Sequence, residues 1–255
     1  MSWKDALLSL LFPPACALCG NRAVRDGLCA DCLKAFAAEA FLKCPRCGNP
    51  ADRCSCGEDF ARDLPSGTDS AAGGRGLYAL TFYIPENRKK EGGEKRVTDE
   101  MILRLKQDGS FADFFAGELA REIGRLFERC GEDPRTWTVT WCPRSPEKFM
   151  KTGFDQGEEI SRRLAKRLGS RSEALLLRTD RSEEQKSLGA QERRQNAQSS
   201  LGVRRKKMKP GMKILLVDDI LTTGSTVRTS AELLYAAGAE RVFPVLIAKT
   251  FPRQT

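Results

Sequence analysis

A chain of 255 residues with 40% apolar and 30% charged side chains is long enough for a substantial core, in one large domain or two modest ones, and too balanced in composition to be fibrous or wholly disordered. Its formal charge is +9, yet the first 60 residues carry seven basic and seven acidic side chains, so the excess lies beyond Phe60 and suits a polyanionic partner such as nucleic acid or a phosphorylated metabolite. There is no histidine, which excludes Ser-His-Asp and Cys-His mechanisms and leaves cysteine as the only soft metal ligand.

The chain opens on a short apolar run at 6–12, preceded by Asp5 and broken by Ser9. It is too short to span a bilayer and has no small-residue cleavage site. The expectation is an amphipathic helix docked on a cytoplasmic protein without membrane insertion. Eight of the ten cysteines follow in four close pairs: Cys16 and Cys19, Cys29 and Cys32, Cys44 and Cys47, Cys54 and Cys56. Thiolates so spaced on a tight turn point at one ion, and two pairs complete a tetrahedron around zinc. A disulfide framework would need an oxidising compartment and a secretory signal. Two structural Zn²⁺ are therefore expected, one on Cys16, Cys19, Cys29 and Cys32 and the other on Cys44, Cys47, Cys54 and Cys56, with a crossed pairing left open. Four thiolates per ion leave no position for a catalytic water. Cys130 and Cys142 stand alone and are expected to be small buried hydrophobes.

Residues 1–58 form the expected amino-terminal unit and the polar, glycine-rich passage 59–76 its linker. From 77 to 255 strand-like and helix-like segments alternate. Strands are predicted at 77–84, 137–142, 174–177, 214–217 and 241–248, and helices at 97–106, 112–129, 156–168 and 225–237. The charged run 85–96 reads as a solvated loop. Such alternation gives an α/β fold, a parallel sheet flanked by helices, with ligands collected at the carboxyl ends of the strands.

The segment from Ile214 to Thr226 carries the sharpest chemical signal. Four apolar residues make a strand buried on both faces, and Asp218 and Asp219 follow with no apolar environment open to them. The turn Thr222, Thr223, Gly224, Ser225, Thr226 then opens a helix, where free N–H groups, hydroxyls and the positive end of the helix dipole suit a phosphate. An ordinary Ser or Thr cap would explain the turn but not the paired acids. No Gly-Lys-Ser/Thr follows a glycine at Walker A spacing.

The stretch from Val217 to Thr226 resembles the phosphoribosyl pyrophosphate (PRPP) signature of type I phosphoribosyltransferases. Together with the four cysteine pairs it resembles the ComF family of amidophosphoribosyltransferase-like proteins, whose amino-terminal part is a double zinc ribbon. Further matches are Leu-Phe-Pro-Pro-Ala-Cys at 11–16, Cys-Pro-Arg-Cys-Gly at 44–48, Leu105 with Lys106, Gly-Phe-Asp-Gln at 153–156, and Gln185, Leu188, Arg193 and Asn196. The resemblance implies that Asp218 and Asp219 are the catalytic pair that binds the ribose 2′ and 3′ hydroxyls. It implies that Thr222, Thr223, Gly224, Ser225 and Thr226 hold the 5′-phosphate. Pro143, Arg144 and Ser145 take the pyrophosphate-loop position, near which Mg²⁺ accompanies the leaving group. The segment 178–196, with Gln185, Arg193 and Asn196, resembles the flexible loop that closes over the site. Thr152 and Asp155 stand where many members have arginine and asparagine, which removes one cation.

Two functions follow from the resemblance. One is a ComF-like protein that binds PRPP with Mg²⁺ and supports DNA uptake and the handling of single-stranded DNA in natural competence, alongside competence-machinery proteins. The basic run Arg204, Arg205, Lys206, Lys207, Lys209 is its candidate DNA contact, although such runs are also ordinary solvated turns. The alternative is an active phosphoribosyltransferase of nucleotide salvage with an unidentified base or amine as acceptor.

Overall fold

The structure, a computed structural model, describes residues 14–41, 78–83, 96–178 and 201–250. The expected amino-terminal helix, the second cysteine quartet, the passage 59–76 and the loop bearing Gln185, Arg193 and Asn196 lie outside the described residues. In chain order the first elements are α1 (Ala30–Phe41), β1 (Tyr78–Tyr83), α2 (Val97–Asp108), α3 (Ala112–Cys130), β2 (Trp137–Trp141), α4 (Pro146–Thr152) and α5 (Gln156–Leu168). They are followed by β3 (Arg171–Ser172), β4 (Leu176–Arg178), β5 (Leu201–Val203), β6 (Met212–Leu221), α6 (Ser225–Ala236) and β7 (Ala239–Thr250).

Five strands form one parallel sheet in the order β1-β7-β6-β2-β3. Strand residues alternate between its two faces, as the period of two requires. Leu215, Val217, Phe243, Val245 and Ile247 join α3 and α5 in the larger core, whereas Ile214, Leu216, Val242 and Leu246 pack with Val227, Ala231 and Leu234 of α6. Helices α5 and α6 thus cover opposite faces of the sheet, although β2 and β6, the strands that precede them, are neighbours. The crevice at their carboxyl ends is the place where such sheets take ligands.

The run predicted at 214–217 is the middle of a longer strand. β7 pairs with β6 as far as Leu221, while β2 pairs with it only to Val217. Backbone pairing with β7 carries the two acids inside the strand, and the departure of β2 leaves their other side open. Strand 174–177 is shifted to β4, which pairs antiparallel with β5 in a separate two-stranded sheet. The sequence reading has no β5, no β3 and no α4, because strands of three and two residues and a seven-residue helix without a buried face show no periodicity.

Helix α1 is also absent from that reading, which places only turns around the cysteines. It packs on the main core. Phe36 is 2% exposed and meets Phe114 edge-on at 4.8 Å, with Phe115 at 6.3 Å, a burial worth about 2–3 kcal/mol. The buried Glu118 of α3 pairs with Arg25 at 3.2 Å and with Arg121. The first cysteine loop and the sheet therefore share one core. Among the described residues no helix is long and apolar enough to cross a membrane.

Candidate functional site

The carboxyl ends of β2 and β6 enclose an open cleft of about 400 Å³. Asp218, Asp219, Thr222 and Thr226 line one wall, and Pro143, Arg144 and Ser145 another. A smaller recess of about 40 Å³ continues from it along Asp218, Thr222, Thr223, Gly224, Ser225 and Thr226. The residues singled out in the strand and turn therefore meet those of the loop after β2 in one place.

Gly224 occupies the cap position of α6 with φ 75° and no side-chain cap. Glycine takes this left-handed conformation without the Cβ cost other residues meet. A Ser or Thr cap is thus not what the turn provides. Thr222 and Thr223 are exposed, and Ser225 and Thr226 half-buried. Hydroxyls and amides at the start of α6 surround the recess, where the helix dipole favours negative charge.

Asp219 accepts from Gln156 Nε2 at 2.8 Å and faces Lys106 Nζ at 3.6 Å. The same ammonium sits 5.6 Å above the ring of Tyr83. Burial, and secondly the charge of Asp219, pushes the Asp218 carboxyl up to about 8. Two carboxylates side by side in a half-closed cleft cannot both ionise cheaply. Burial likewise raises Asp155, whose carboxylate caps α5 through Gly157 N at 2.8 Å and accepts from Arg144 N at 2.8 Å. Asp155 thus ties the loop after β2 to α5.

Arg144 is braced by Gln156 Oε1 at 2.5 Å and lies 5.7 Å from the Phe154 ring, while its Nε is buried and unpartnered. Lys148 and Arg178 add two further cations to the lining. The arrangement sets hydroxyl acceptors on β6 against guanidinium and ammonium groups across the cleft, which matches a ligand with a polyol at its centre and phosphates at both ends. Sequence reasoning missed Lys106, Lys148, Asp155 and Gln156 as site residues and had Arg178 only as the first residue of the loop expected to close over the site. Lys106 and Gln156 belong to matched motifs that could have flagged them, whereas Lys148 is a single cation in a polar segment and gives no signal. Cys142 lines the cleft as a buried thiol, raised well above its ordinary value by burial.

A second cluster lies at the amino end of α1. The sulfurs of Cys16, Cys19, Cys29 and Cys32 are all within 4.8 Å of one another, with Cys19 to Cys29 at 3.5 Å and Cys19 to Cys32 at 3.7 Å. Tetrahedral zinc with Zn–S of about 2.3 Å needs sulfurs about 3.8 Å apart. Cys16 and Cys19 sit on the loop closed by Gly20 N to Cys16 O at 2.9 Å. Cys29 precedes α1 and Cys32 lies in its first turn, where Cys32 N donates to Cys29 Sγ at 3.4 Å. Burial and the neighbouring sulfurs push the Cys32 thiol up, a cost that a bound cation removes. The donor set fits zinc in a closed structural site.

Comparison with known proteins agrees with this division. Residues 151–250 match the phosphoribosyl transferase domain and residues 7–63 the double zinc ribbon domain. The DNA utilization protein YhgH of Salmonella typhi is 26% identical over 240 residues, covering 91% of this chain and 96% of the relative. The protein of the same name from Salmonella typhimurium strain LT2 matches to the same extent. Among solved structures, a glutamine PRPP amidotransferase from B. subtilis superposes with a TM-score of 0.37 at 19% identity, over 53% of this chain and 26% of that one. The chain thus carries a phosphoribosyl transferase domain behind a double zinc ribbon, is similar over nearly its full length to proteins named for DNA utilization, and resembles the ComF family in both parts.

Proposed function

We propose that the chain binds PRPP with Mg²⁺ in the cleft between β2 and β6 and works, through that ligand, in the uptake and handling of single-stranded DNA. The observation that carries the PRPP reading is the juxtaposition of Asp218 and Asp219 with the Gly224 turn on one side and Arg144, Lys148 and Arg178 on the other. In this reading the acids accept the ribose hydroxyls, the amides and hydroxyls of the turn take the 5′-phosphate, and the opposite cations take the pyrophosphate. Mg²⁺ supplies neutralisation of the pyrophosphate charge.

The pH dependence tests this assignment. Ribose hydroxyls donate to an ionised carboxylate, so a ligand on Asp218 must displace its proton. With Asp218 raised to about 8, affinity falls roughly tenfold from pH 9 to pH 7, and in Asp218→Asn this step disappears. PRPP binding that is flat over this window in the wild type contradicts the role of Asp218.

The DNA part of the proposal rests on the relatives' name and on an exposed basic surface. Arg204, Arg205, Lys206 and Lys209 are exposed on the turn that leads into β6, and Lys207 pairs with Glu173 at 3.0 Å. Four phosphate contacts to a single strand give a slope of about −3 in log affinity against log salt. Binding of oligo-dT should therefore weaken roughly 50-fold from 50 to 200 mM salt, and replacing these four residues by serine should flatten the dependence. A salt-insensitive interaction, or one unchanged in that variant, rules this surface out.

The cleft also favours a second reading, transfer of the ribosyl group to an acceptor. Cations placed to hold a pyrophosphate stabilise it equally as a leaving group. Release of pyrophosphate in the presence of candidate bases and amines separates transfer from binding alone.

A further inference from the structure

Helix α2 delivers Lys106 to the acid pair, yet its own amino terminus has no local cap. The residue before it, Arg96, has extended backbone and makes no side-chain cap. The missing acceptor comes from a different part of the chain. Glu39, in the last turn of α1, takes Val97 N on one carboxylate oxygen at 2.9 Å and Thr98 N on the other at 2.8 Å, with Thr98 Oγ1 as a third donor. Arg96 approaches the same carboxylate at 3.7 Å. A negative group on the first free amides of a helix satisfies them and complements the dipole.

A second tie lies further along α2. Arg104 donates to the Ala17 carbonyl inside the loop between Cys16 and Cys19, and its Nε bonds Glu100 at 2.8 Å. Lys106 follows two residues later and ends 3.6 Å from Asp219. Helix α1 begins at Cys29 and Cys32, so the helix that grows from the first cysteine quartet grips the helix that presents a cation to the cleft. Roughly two and a half to three turns separate Cys29 from Glu39 and Val97 from Lys106.

We infer that Glu39, a residue outside the cleft, is a positioning residue for Lys106: by capping α2 it fixes the ammonium against Asp219 and thereby sets the charge balance of the acid pair. The cysteine-bearing part of the chain then contributes to the ligand site without touching the ligand. This inference rests on the cleft being the ligand site, but the contact it describes exists in the ligand-free protein and is measured there.

The readout is the titration of Asp218 in the zinc-loaded, ligand-free protein, followed through its carboxyl carbon by NMR. The charged and titratable groups facing it are Asp219 on β6, Lys106 on α2, the Cys142 thiol after β2, Asp155 before α5, and Arg144, Lys148 and Arg178 from the surrounding segments. Removing the cation in Lys106→Met should move the midpoint upward by roughly half a pH unit. Glu39→Ala should move it in the same direction, and Glu39→Gln, which keeps one acceptor, by less. In the Lys106→Met background neither change at Glu39 should shift it further. A purely structural role would lower the melting temperature of the Glu39 variants and leave the Asp218 midpoint in place, and that outcome overturns the inference. Additive shifts in the double variant, or no shift in Lys106→Met, overturn it as well. Should Glu39→Ala fail to fold, the Glu39→Gln pair carries the same comparison. Calorimetric titration of the same variants with PRPP and Mg²⁺ keeps the two claims apart. Absence of binding in the wild type removes the ligand assignment, while the midpoints still decide what Glu39 does.

Discussion

Replacing Asp218 and Asp219 together by asparagine is expected to reduce affinity for PRPP with Mg²⁺ by roughly 10²–10⁴-fold, since two hydrogen bonds to charged acceptors are worth about 1.5–3 kcal/mol each. The same variant is expected to fold with an unchanged or higher melting temperature. The sign follows from burial. The folded protein holds the Asp218 carboxyl up at about 8, above its value in the unfolded chain. Whatever stability its protonated form contributes is complete in acid and is lost as pH rises toward 8. Asparagine is neutral throughout and removes that loss, along with the repulsion from Asp219. Gln156 and Lys106, which now serve Asp219, can bond an amide oxygen instead. Calorimetric titration and thermal melting of one preparation measure both effects. A variant that binds as the wild type does, or one that loses binding only because it unfolds, counts against the assignment.

The second large effect is that of metal removal. In a zinc ribbon appended through a linker, losing the metal would melt the ribbon alone. Here Cys16, Cys29 and Cys32 belong to the same buried cluster as Phe36, Phe115 and Leu105, and α1 caps α2 through Glu39. Stripping zinc with a chelator, or introducing Cys29→Ser, is therefore expected to lower the melting temperature of the whole chain by roughly 10 °C or more and to loosen amide protection in α2 as well as α1. Hydrogen exchange followed by mass spectrometry, with and without chelator, checks this. Metal-free protein with an unchanged melting temperature would refute the zinc reading. Loss of protection confined to residues 14–41 would refute the shared core.

The parts of the fold that show in the sequence are those with long, clean patterns. α3 and α5 present apolar residues at helical spacing, and β6 and β7 are buried on both faces and read as continuous apolar runs. Even so, the extent of β6 past its acids depends on β7, a partner nearly thirty residues further along the chain, and no local pattern carries that information. Helix α1 is hidden for a different reason. Cysteine spacing dominates the reading of its neighbourhood, while Phe36 and Ala40 become core residues only because α3 lies against them. The second quartet, Cys44, Cys47, Cys54 and Cys56, falls outside the described residues, and we propose a second zinc for it on the cysteine spacing alone.

The site was legible in a similarly partial way. Asp218, Asp219 and the turn to Thr226 are contiguous in the chain, so their chemistry could be read before their geometry. Arg144 and Ser145 came from resemblance. Lys106, Lys148, Asp155, Gln156 and Arg178 reach the cleft from four separate segments, and only the crossing of the chain at the β2–β6 boundary brings them together. Asp155, a departure from the family motif whose role the sequence does not show, caps α5 in the fold and holds the backbone of Arg144.

The central claim is that the cleft between β2 and β6 takes PRPP, and calorimetric titration of the zinc-loaded protein with PRPP in the presence of Mg²⁺ tests it most directly. The account predicts one saturable site of micromolar affinity, abolished in the variant with asparagine at both 218 and 219. No detectable heat or competition in demonstrably folded, metal-loaded protein would contradict it, and would leave the acid pair and its turn as scaffold.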